Sequence, residues 1–293
     1  MKHGFHGYAL LAIGLALSGC GSKSEVAIIP ATKMKTLETD WVKAVAFLGN
    51  ERLVTGCDDS TFQVWDVKSH VLLLKWKASK ARLTSMASDG KKLVAIGSED
   101  KKLRIWDARR GRLVNTIPFK ADVSAVAFSP DGKWLAAASG VKPGYNLTAS
   151  QPASVRIYRA SSWTLVRTLK VSQGSVGVVA FSPRSSDLLI SSGRELTLWD
   201  WKKGKKRVSH QVGRDPIGIG NTDVRFSHDG TLIAASYLGE VVLFDADLKR
   251  KKAKIDMTPN PDDYDYQQID TLAFSPDDRF LATGNMVDMD FPR

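Results

Sequence analysis

A short unit recurs along this chain and constrains its fold more than any other feature. In the clearest copy, residues 96–107 read Ile-Gly-Ser-Glu-Asp-Lys-Lys-Leu-Arg-Ile-Trp-Asp. This is a Gly/Asp turn followed by a run in which alternate side chains can face a core. Residues 55–66 repeat the unit, and weaker copies end at Tyr158, Trp199 and Phe244. The closing aromatic residues stand at positions 65, 106, 158, 199 and 244, with spacings of 41, 52, 41 and 45 residues.

A second phrase precedes the units. It consists of a strand-like run and a Ser-Pro-Asp-Gly turn, complete at residues 125–132 and partial at residues 44–47, 178–183, 224–230 and 272–277. Together the two patterns resemble the WD40 repeat family from about residue 36 to residue 284. The resemblance implies an all-β, WD40-like propeller, in which four-stranded antiparallel blades pack around a channel and stabilise one another.

The chain departs from the family at the polar residues of the repeat. The family's Gly-His pair before each blade is absent, and Lys77-Ala78-Ser79 stands in one such place. Two turn aspartates that would bond such a histidine remain, Asp59 and Asp100, and we interpret both as structural. We therefore expect an incomplete polar network and blades that depend more on apolar packing.

The number of blades follows from the length of the repeat. Removing 19 residues from 293 leaves 274, which suffices for six blades of about 40–45 residues or for seven compact ones. We predict six, with the strand-like residues 35–39 completing the last blade as its fourth strand and residues 286–291 as its third. The alternative is a chain truncated within its last blade, which would leave a sheet edge exposed.

The first 19 residues have the layout of a secretory signal. Lys2 precedes an apolar run of about ten residues, which is too short to cross a bilayer of about 30 Å as a permanent helix. The run ends in Leu17-Ser18-Gly19-Cys20, which resembles a bacterial lipobox and implies cleavage before Cys20 and a diacylglycerol on its thiol. An ordinary signal peptide is the alternative. We divide the chain into a lipoprotein signal peptide (1–19), a lipidated tether (20–35) and a propeller (36–293).

Lipidation at Cys20 also predicts where the protein resides. Several acyl chains together anchor a protein to the membrane essentially permanently. In Gram-negative lipoproteins an aspartate after the cysteine favours the inner membrane, so Gly21 indicates the outer membrane, facing the periplasm, if the host is Gram-negative. Cys57 then remains as a single cysteine, which excludes an intramolecular disulfide, and we expect it to be a small buried residue.

Three stretches exceed the minimal repeat: residues 140–153, 210–222 and 256–268. If the family geometry holds, all three emerge on one face, and loops on a rigid scaffold are where binding residues tend to be placed. A solvated linker is the alternative for the last stretch. The candidate partner-binding residues are Tyr145, Asp262, Asp263, Tyr264, Asp265 and Tyr266.

The formal net charge is +11, and much of the excess follows strands that end in Trp-Asp or its equivalent. In the family such turns share the face opposite the long loops. A basic rim there would attract anionic lipid or glycan, at about 1 kcal/mol per residue near an anionic membrane, or would simply keep the protein soluble. We expect no nucleic-acid partner for an exported protein. The predicted basic rim comprises Arg109, Arg110, Arg112, Lys202, Lys203, Lys205, Lys206, Arg207, Lys249, Arg250, Lys251 and Lys252.

The sequence predicts no catalytic residue, metal or cofactor. His70, His210 and His228 lack metal-ligand spacing, and no nucleophile or phosphate-loop motif is present. A propeller hydrolase or lactonase needs carboxylates or metal ligands at the channel, where the first strands are small and apolar. We predict a non-catalytic scaffold that binds another envelope protein and no small-molecule substrate. The alternatives are such a hydrolase, or binding of anionic envelope lipid or glycan through the basic rim.

Overall fold

The fold was analysed in a computed structural model, which describes residues 9–15, 26–29, 42–57, 59–140, 153–171, 176–212, 223–237, 239–256 and 269–285. Across these residues the chain forms 24 strands and no helix. The strands make six four-stranded antiparallel sheets, which we number 1 to 6 along the chain. The predicted all-β class is confirmed, and four-stranded antiparallel sheets are the units expected of a WD40-like propeller.

The first three sheets each take four consecutive strands. Sheet 1 contains β3 (Val42–Leu48), β4 (Arg52–Cys57), β5 (Thr61–Asp66) and β6 (Leu72–Lys77). Sheet 2 contains β7 (Leu83–Ser88), β8 (Leu93–Ser98), β9 (Lys102–Asp107) and β10 (Arg112–Pro118). Sheet 3 contains β11 (Val123–Phe128), β12 (Trp134–Ser139), β13 (Ser154–Arg159) and β14 (Thr164–Lys170).

The next two sheets also take four consecutive strands each. The last sheet combines the first two strands of the chain with its last two. Sheet 4 contains β15 (Val176–Phe181), β16 (Asp187–Ser192), β17 (Glu195–Asp200) and β18 (Lys205–Gln211). Sheet 5 contains β19 (Val224–Phe226), β20 (Leu232–Tyr237), β21 (Glu240–Asp245) and β22 (Lys251–Asp256). Sheet 6 contains β23 (Ile269–Phe274), β24 (Leu281–Asn285), β1 (Ala9–Leu15) and β2 (Val26–Ile29).

Sheet 6 differs from the arrangement predicted for the last blade. Amino-terminal strands do complete it, but they are β1, which pairs with β24, and β2, which pairs with β1. We predicted residues 286–291 as the third strand of the last blade and residues 35–39 as its fourth. Both segments lie outside the described residues. β1 also coincides with the apolar run of the predicted signal peptide, so cleavage before Cys20 would remove it from the sheet.

Apolar clusters between successive sheets hold the fold together. The two-residue period of each strand sends alternate side chains to opposite neighbours. In β8, for example, Val94 and Ile96 pack in the cluster shared with sheet 1, whereas Ala95 packs in the cluster shared with sheet 3. Three further clusters join sheets 3 and 4, 4 and 5, and 5 and 6. A sheet is therefore stabilised mainly by its neighbours, as a repeat architecture requires.

The face of sheet 1 that points away from sheet 2 is an exception to this pattern. Val45 and Phe47 in β3 are 60% and 59% exposed. Val126 of sheet 3 has the register of Val45, and Phe181 of sheet 4 has the register of Phe47. Each of these two residues is only 7% exposed. In the described residues, this face of sheet 1 therefore lacks the cover that the equivalent positions of sheets 3 and 4 receive.

All six sheets present their short turns on the same side, which we call the turn face. In sheets 1 to 5 the first-to-second and third-to-fourth strand turns lie at one end, since the strands are antiparallel, and the turn between β23 and β24 of sheet 6 lies at the same end. Gly49 N donates a hydrogen bond to Gly90 O at 2.9 Å, which joins the first turns of sheets 1 and 2. Contacts at this end also join the other neighbouring sheets, through Gly132 and Asp89, Trp134 and Trp201, Gly230 and Arg184, and His228 and Asp278.

The opposite ends of the sheets form a second side, the loop face. The strands that flank residues 141–152, 213–222 and 257–268 end there, and these three segments lie outside the described residues. In the part of the chain that the structure covers, no helix is long and apolar enough to cross a membrane.

Candidate interaction surfaces

The repeated Ser-x-Asp turns are explained by local hydrogen bonds. In the turn before β12, Ser129 Oγ donates to Asp131 Oδ1 at 2.6 Å and accepts from Trp134 N at 2.9 Å. The carboxylate also accepts from Lys133 N at 3.0 Å. Burial raises the pKa of Asp131, but these bonds and the Lys133 charge outweigh burial and hold the pKa below its ordinary value. These aspartates shape the turn face and need no ligand to account for them.

Asp100 lies at the centre of a polar network in sheet 2. Its carboxylate accepts two hydrogen bonds from the Arg104 guanidinium, at 3.0 and 2.6 Å. Ser79 Oγ lies 2.7 Å from Ser98 Oγ and 3.3 Å from Asp100 Oδ2. Burial raises the pKa of Asp100, but the bonds and charge of Arg104, with Ser98 and Ser79, more than offset burial and keep the pKa low. An arginine and two serines therefore stabilise the Asp100 carboxylate.

Sheet 1 has a different set of polar contacts near its turn aspartate, Asp59. Asp59 Oδ1 accepts from Thr61 N at 2.8 Å and from Thr61 Oγ1 at 2.6 Å. Trp65 Nε1 donates to Thr55 Oγ1 at 3.2 Å. In sheet 2 the residue equivalent to Thr55 is Ile96, and Trp106 Nε1 is buried without an acceptor in the described region. Asp59 and Asp100 both lie in turns between the second and third strands of their sheets.

The basic turns are built by the aspartate that ends the third strand. Asp107 Oδ1 accepts from the backbone nitrogens of Arg109 and Arg110, at 3.1 and 3.2 Å. Asp200 Oδ1 accepts from Lys203 N at 3.0 Å, and Asp245 Oδ1 accepts from Lys249 N at 2.8 Å. Each capped turn directs its basic side chains outward, and all twelve residues of the predicted basic rim are exposed on the turn face.

Ion pairs neutralise part of this basic rim. Five of its members pair with carboxylates of their own sheet or turn: Arg110 with Asp107, Lys203 with Asp200, Lys206 with Glu195, Arg207 with Asp187, and Lys249 with Asp247. The remaining seven form no ion pair with another described residue, namely Arg109, Arg112, Lys202, Lys205, Arg250, Lys251 and Lys252. Most of the rim charge is therefore open to an anionic partner.

A β-bulge at the start of each outer strand adds a feature that the sequence analysis missed. In sheets 1 to 5 the first bulge residue pairs with the closing aromatic residue, and the second is left over in the register. The pairs are Leu72-Leu73, Leu113-Val114, Leu165-Val166, Lys206-Arg207 and Lys251-Lys252. The sequence does carry a signal of these bulges in sheets 1 to 3. Two adjacent apolar residues there interrupt the alternation of apolar and polar residues in the outer strand.

A cavity of about 290 Å³ lies on the turn face between sheets 2 and 3. Lys133, Trp134 and Arg159 are among its lining residues, and the Arg159 guanidinium lies 5.1 Å from the centre of the Trp134 ring. Within the described ranges, no group of three or more His, Cys, Asp or Glu side chains is arranged to hold a metal ion.

The other candidate residues named from the sequence fall outside the structure's described ranges. Cys20, Tyr145 and residues 262–266 belong to this set. Cys57 is fully buried in β4, as predicted. The structure therefore brings the basic rim together on the turn face. The strands before and after the predicted partner-binding segments end on the loop face.

Comparison with known proteins identifies repeats in the first half of the chain. The family model described as "WD domain, G-beta repeat" matches residues 31–66, 71–107 and 111–140. These segments contain β3 to β12, hence all of sheets 1 and 2 and the first half of sheet 3.

Curated relatives are distant. Histone acetyltransferase type B subunit 2 of Candida glabrata is 24% identical over 220 residues, which are 67% of this chain and 47% of the relative. Telomerase protein component 1 of Mus musculus is 23% identical over 85% of this chain and 9% of the relative. Protein groucho of Drosophila melanogaster is 27% identical over 37% of this chain and 15% of the relative. The chain spans less than half the length of each of them. The matches to the family model show that this chain carries three WD40 repeats between residues 31 and 140.

Proposed function

We infer that the chain is a lipid-anchored, non-catalytic WD40 propeller of six blades, which acts as a protein–protein interaction scaffold in a bacterial cell envelope. The observation that carries this proposal is the match of three WD40 repeats, which sheets 4 and 5 continue with the same strand order and sheet 6 continues with four antiparallel strands from both ends of the chain. Two of the relatives are named as a subunit or component of a larger assembly. A rigid scaffold with two distinct faces suits a role in holding a partner.

The loop face is the side that we assign to the protein partner. Its three long segments are longer than the turns on the other side, and loops on a packed scaffold are the usual carriers of recognition. Residues 262–266 interleave acidic and aromatic side chains, and aromatic residues are enriched where proteins bind one another. We propose that Tyr145 and residues 262–266 contact an envelope protein.

Cys20 supplies the proposed anchor. The lipobox-like Leu17-Ser18-Gly19-Cys20 and the short tether after it would hold the propeller close to a membrane, in the outer membrane of a Gram-negative host. In this proposal the precursor loses residues 1–19 and thereby β1, so another segment has to complete sheet 6 in the mature protein. Residues 35–39, with their strand-like sequence, are the segment that we propose.

The proposal is tested by affinity purification of the tagged full chain from detergent-solubilised membranes of the native host, at low and at high salt. We expect a discrete protein that remains bound at high salt and is lost when residues 262–266 are replaced by a Gly/Ser linker. The matched control replaces Lys249, Arg250, Lys251 and Lys252 on the turn face by serine and should retain the partner. Equal retention by the loop variant and the parent would contradict the assignment.

A further inference from the structure

We propose that the outer rim of the turn face is a membrane-contact surface for anionic phospholipid, with an apolar half on sheets 1 to 3 and a basic half on sheets 4 and 5. The division coincides with the bulge pairs. They are leucine and valine in sheets 1 to 3, and lysine and arginine in sheets 4 and 5. This inference adds a lipid partner to the proposed scaffold and does not depend on acylation of Cys20.

The apolar half consists of side chains that the fold leaves in solvent. The six leucine and valine residues of the bulges are between 38% and 49% exposed, and Val71 beside the first pair is 53% exposed. Because the second residue of each pair is left over in the ladder, the bulge turns the strand and presents two neighbouring side chains outward. Nothing in the core requires leucine or valine at these positions. Polar residues there would also protect an outer strand from edge-to-edge pairing.

The rim is continuous because the third-to-fourth turn of a sheet packs on the outer strand of the sheet before it. Gly111 of sheet 2 lies against Trp76 of β6, at 3.6 Å for a Cβ placed on the glycine. Arg167 of β14 donates from Nη2 to the carbonyl oxygen of Lys202 at 2.6 Å, which joins sheets 3 and 4 in the same way. At these two junctions the basic turn of sheet 2 or sheet 4 therefore lies beside the outer strand of the preceding sheet.

The charges of the rim select an anionic partner. The turn of sheet 2 carries Arg109 and Arg112 directly before its apolar bulge pair, and neither arginine is ion-paired within the described residues. Lys251 and Lys252 of sheet 5 also form no ion pair with a described residue. A glycan or a free phosphate would engage these charges alone. A bilayer of anionic phospholipid satisfies both halves, because lysine and arginine bind headgroup phosphates while leucine and valine enter the acyl-chain boundary.

The test measures binding of the full chain carrying Cys20→Ala, and therefore without acyl chains, to phosphatidylcholine vesicles with and without phosphatidylglycerol. All proteins compared share the same amino-terminal segment, so differences between them report the rim. We expect the parent to bind vesicles that contain phosphatidylglycerol, and to retain part of this binding at high salt. The double variant Leu113→Thr with Val114→Thr should bind about tenfold less tightly, since it removes two apolar contacts. Lys251→Gln with Lys252→Gln should also lose about tenfold.

The matched control is Lys120→Gln with Lys170→Gln. It removes the same charge from exposed lysines at the loop-face ends of two outer strands, and it should bind like the parent. Equal losses in the two lysine pairs would overturn the proposal, because net charge alone would then explain binding. Unchanged binding of the threonine variant would overturn the apolar half, and failure of the parent to bind would overturn the whole. Far-ultraviolet circular dichroism verifies that each variant is folded. None of these outcomes depends on a protein partner at the loop face, so they leave the scaffold proposal to its own test.

Discussion

The carboxylate of Asp278 in sheet 6 accepts a hydrogen bond from the backbone nitrogen of His228 in sheet 5, at 2.7 Å. It also accepts from Asp229 N at 2.6 Å and lies 2.9 Å from His228 Nδ1. Asp278 occupies the last position of a Ser-Pro-Asp-x turn, where the equivalent residues are Gly132 and Gly230, and its φ of 57° lies in the left-handed region. A residue that is disfavoured in this conformation is held there by its bonds to the adjacent sheet.

Replacing Asp278 should therefore weaken the junction of sheets 5 and 6. Asp278→Ala removes three hydrogen bonds and keeps a Cβ at positive φ, so we expect a loss of about 2 kcal/mol in the free energy of unfolding. Asp278→Gly relieves the backbone but loses the same bonds, and it should fall between the parent and the alanine variant. Urea unfolding followed by tryptophan fluorescence measures both. An alanine variant as stable as the parent would show that these bonds add nothing to stability.

Asp223 joins the same two sheets near their loop-face ends. Its buried carboxylate accepts from Leu272 N at 2.9 Å and from Val224 N at 2.8 Å, and Arg225 Nη2 lies 3.1 Å from Asp223 Oδ2. Burial raises the pKa of Asp223, and the Arg225 charge and the amide bonds offset only part of this effect. Asp223→Ala should cost about 3 kcal/mol, because it leaves buried donors without an acceptor. Asp223→Asn should cost less, since it retains an acceptor oxygen.

The pH dependence of Asp223 is measured with the same unfolding assay. A carboxyl group whose pKa is raised in the folded state stabilises most fully below the ordinary value of 3.8, and this contribution is lost as the pH rises through the folded-state pKa. The stability difference between Asp223→Asn and the parent should therefore shrink or reverse as the pH rises through that range. A difference that is constant with pH would contradict a raised pKa.

Asp100 should show the opposite dependence. Its pKa is lowered, so its contribution is present above the ordinary value of 3.8 and is lost as the pH falls through the folded-state pKa. Asp100→Asn should lower the free energy of unfolding by roughly 1–3 kcal/mol at neutral pH and should lose less on acidification than the parent. Glu99→Gln changes the adjacent carboxyl group, which takes no part in the network, and serves as the control. Parallel acid profiles for parent and Asp100→Asn would contradict this assignment.

Local patterns explain which parts of this fold were predictable from the sequence. Alternation of apolar residues gave the strands, and the Trp-Asp ends gave the third strands and the basic turns, because both depend on neighbouring residues. Asp278 and Asp223 were missed because their partners lie about 50 residues away and become neighbours only when sheets pack. The division of the bulge pairs was missed because a bulge is set by the register between two strands. The choice of strands that complete sheet 6 likewise depends on chain closure, which no local pattern encodes.

The proposed lipidation of Cys20 predicts that the mature chain differs from the precursor in its first residue and in its attachment to the membrane. Cys20→Ala should abolish labelling by a radioactive fatty acid, because a single thiol carries the proposed anchor. In a high-salt wash, which weakens binding through the basic rim, it should also shift much of the protein from the membrane fraction to the soluble fraction. Mass spectrometry of the parent should find Cys20 as the first residue, which means that residues 9–15 no longer pair with β24. Cys57→Ala is the matched control, since it removes the other cysteine, which is buried in β4, and it should leave labelling and membrane fractionation unchanged. A mature parent that still begins at Met1 would contradict the lipoprotein assignment and would leave β1 as a permanent strand of sheet 6.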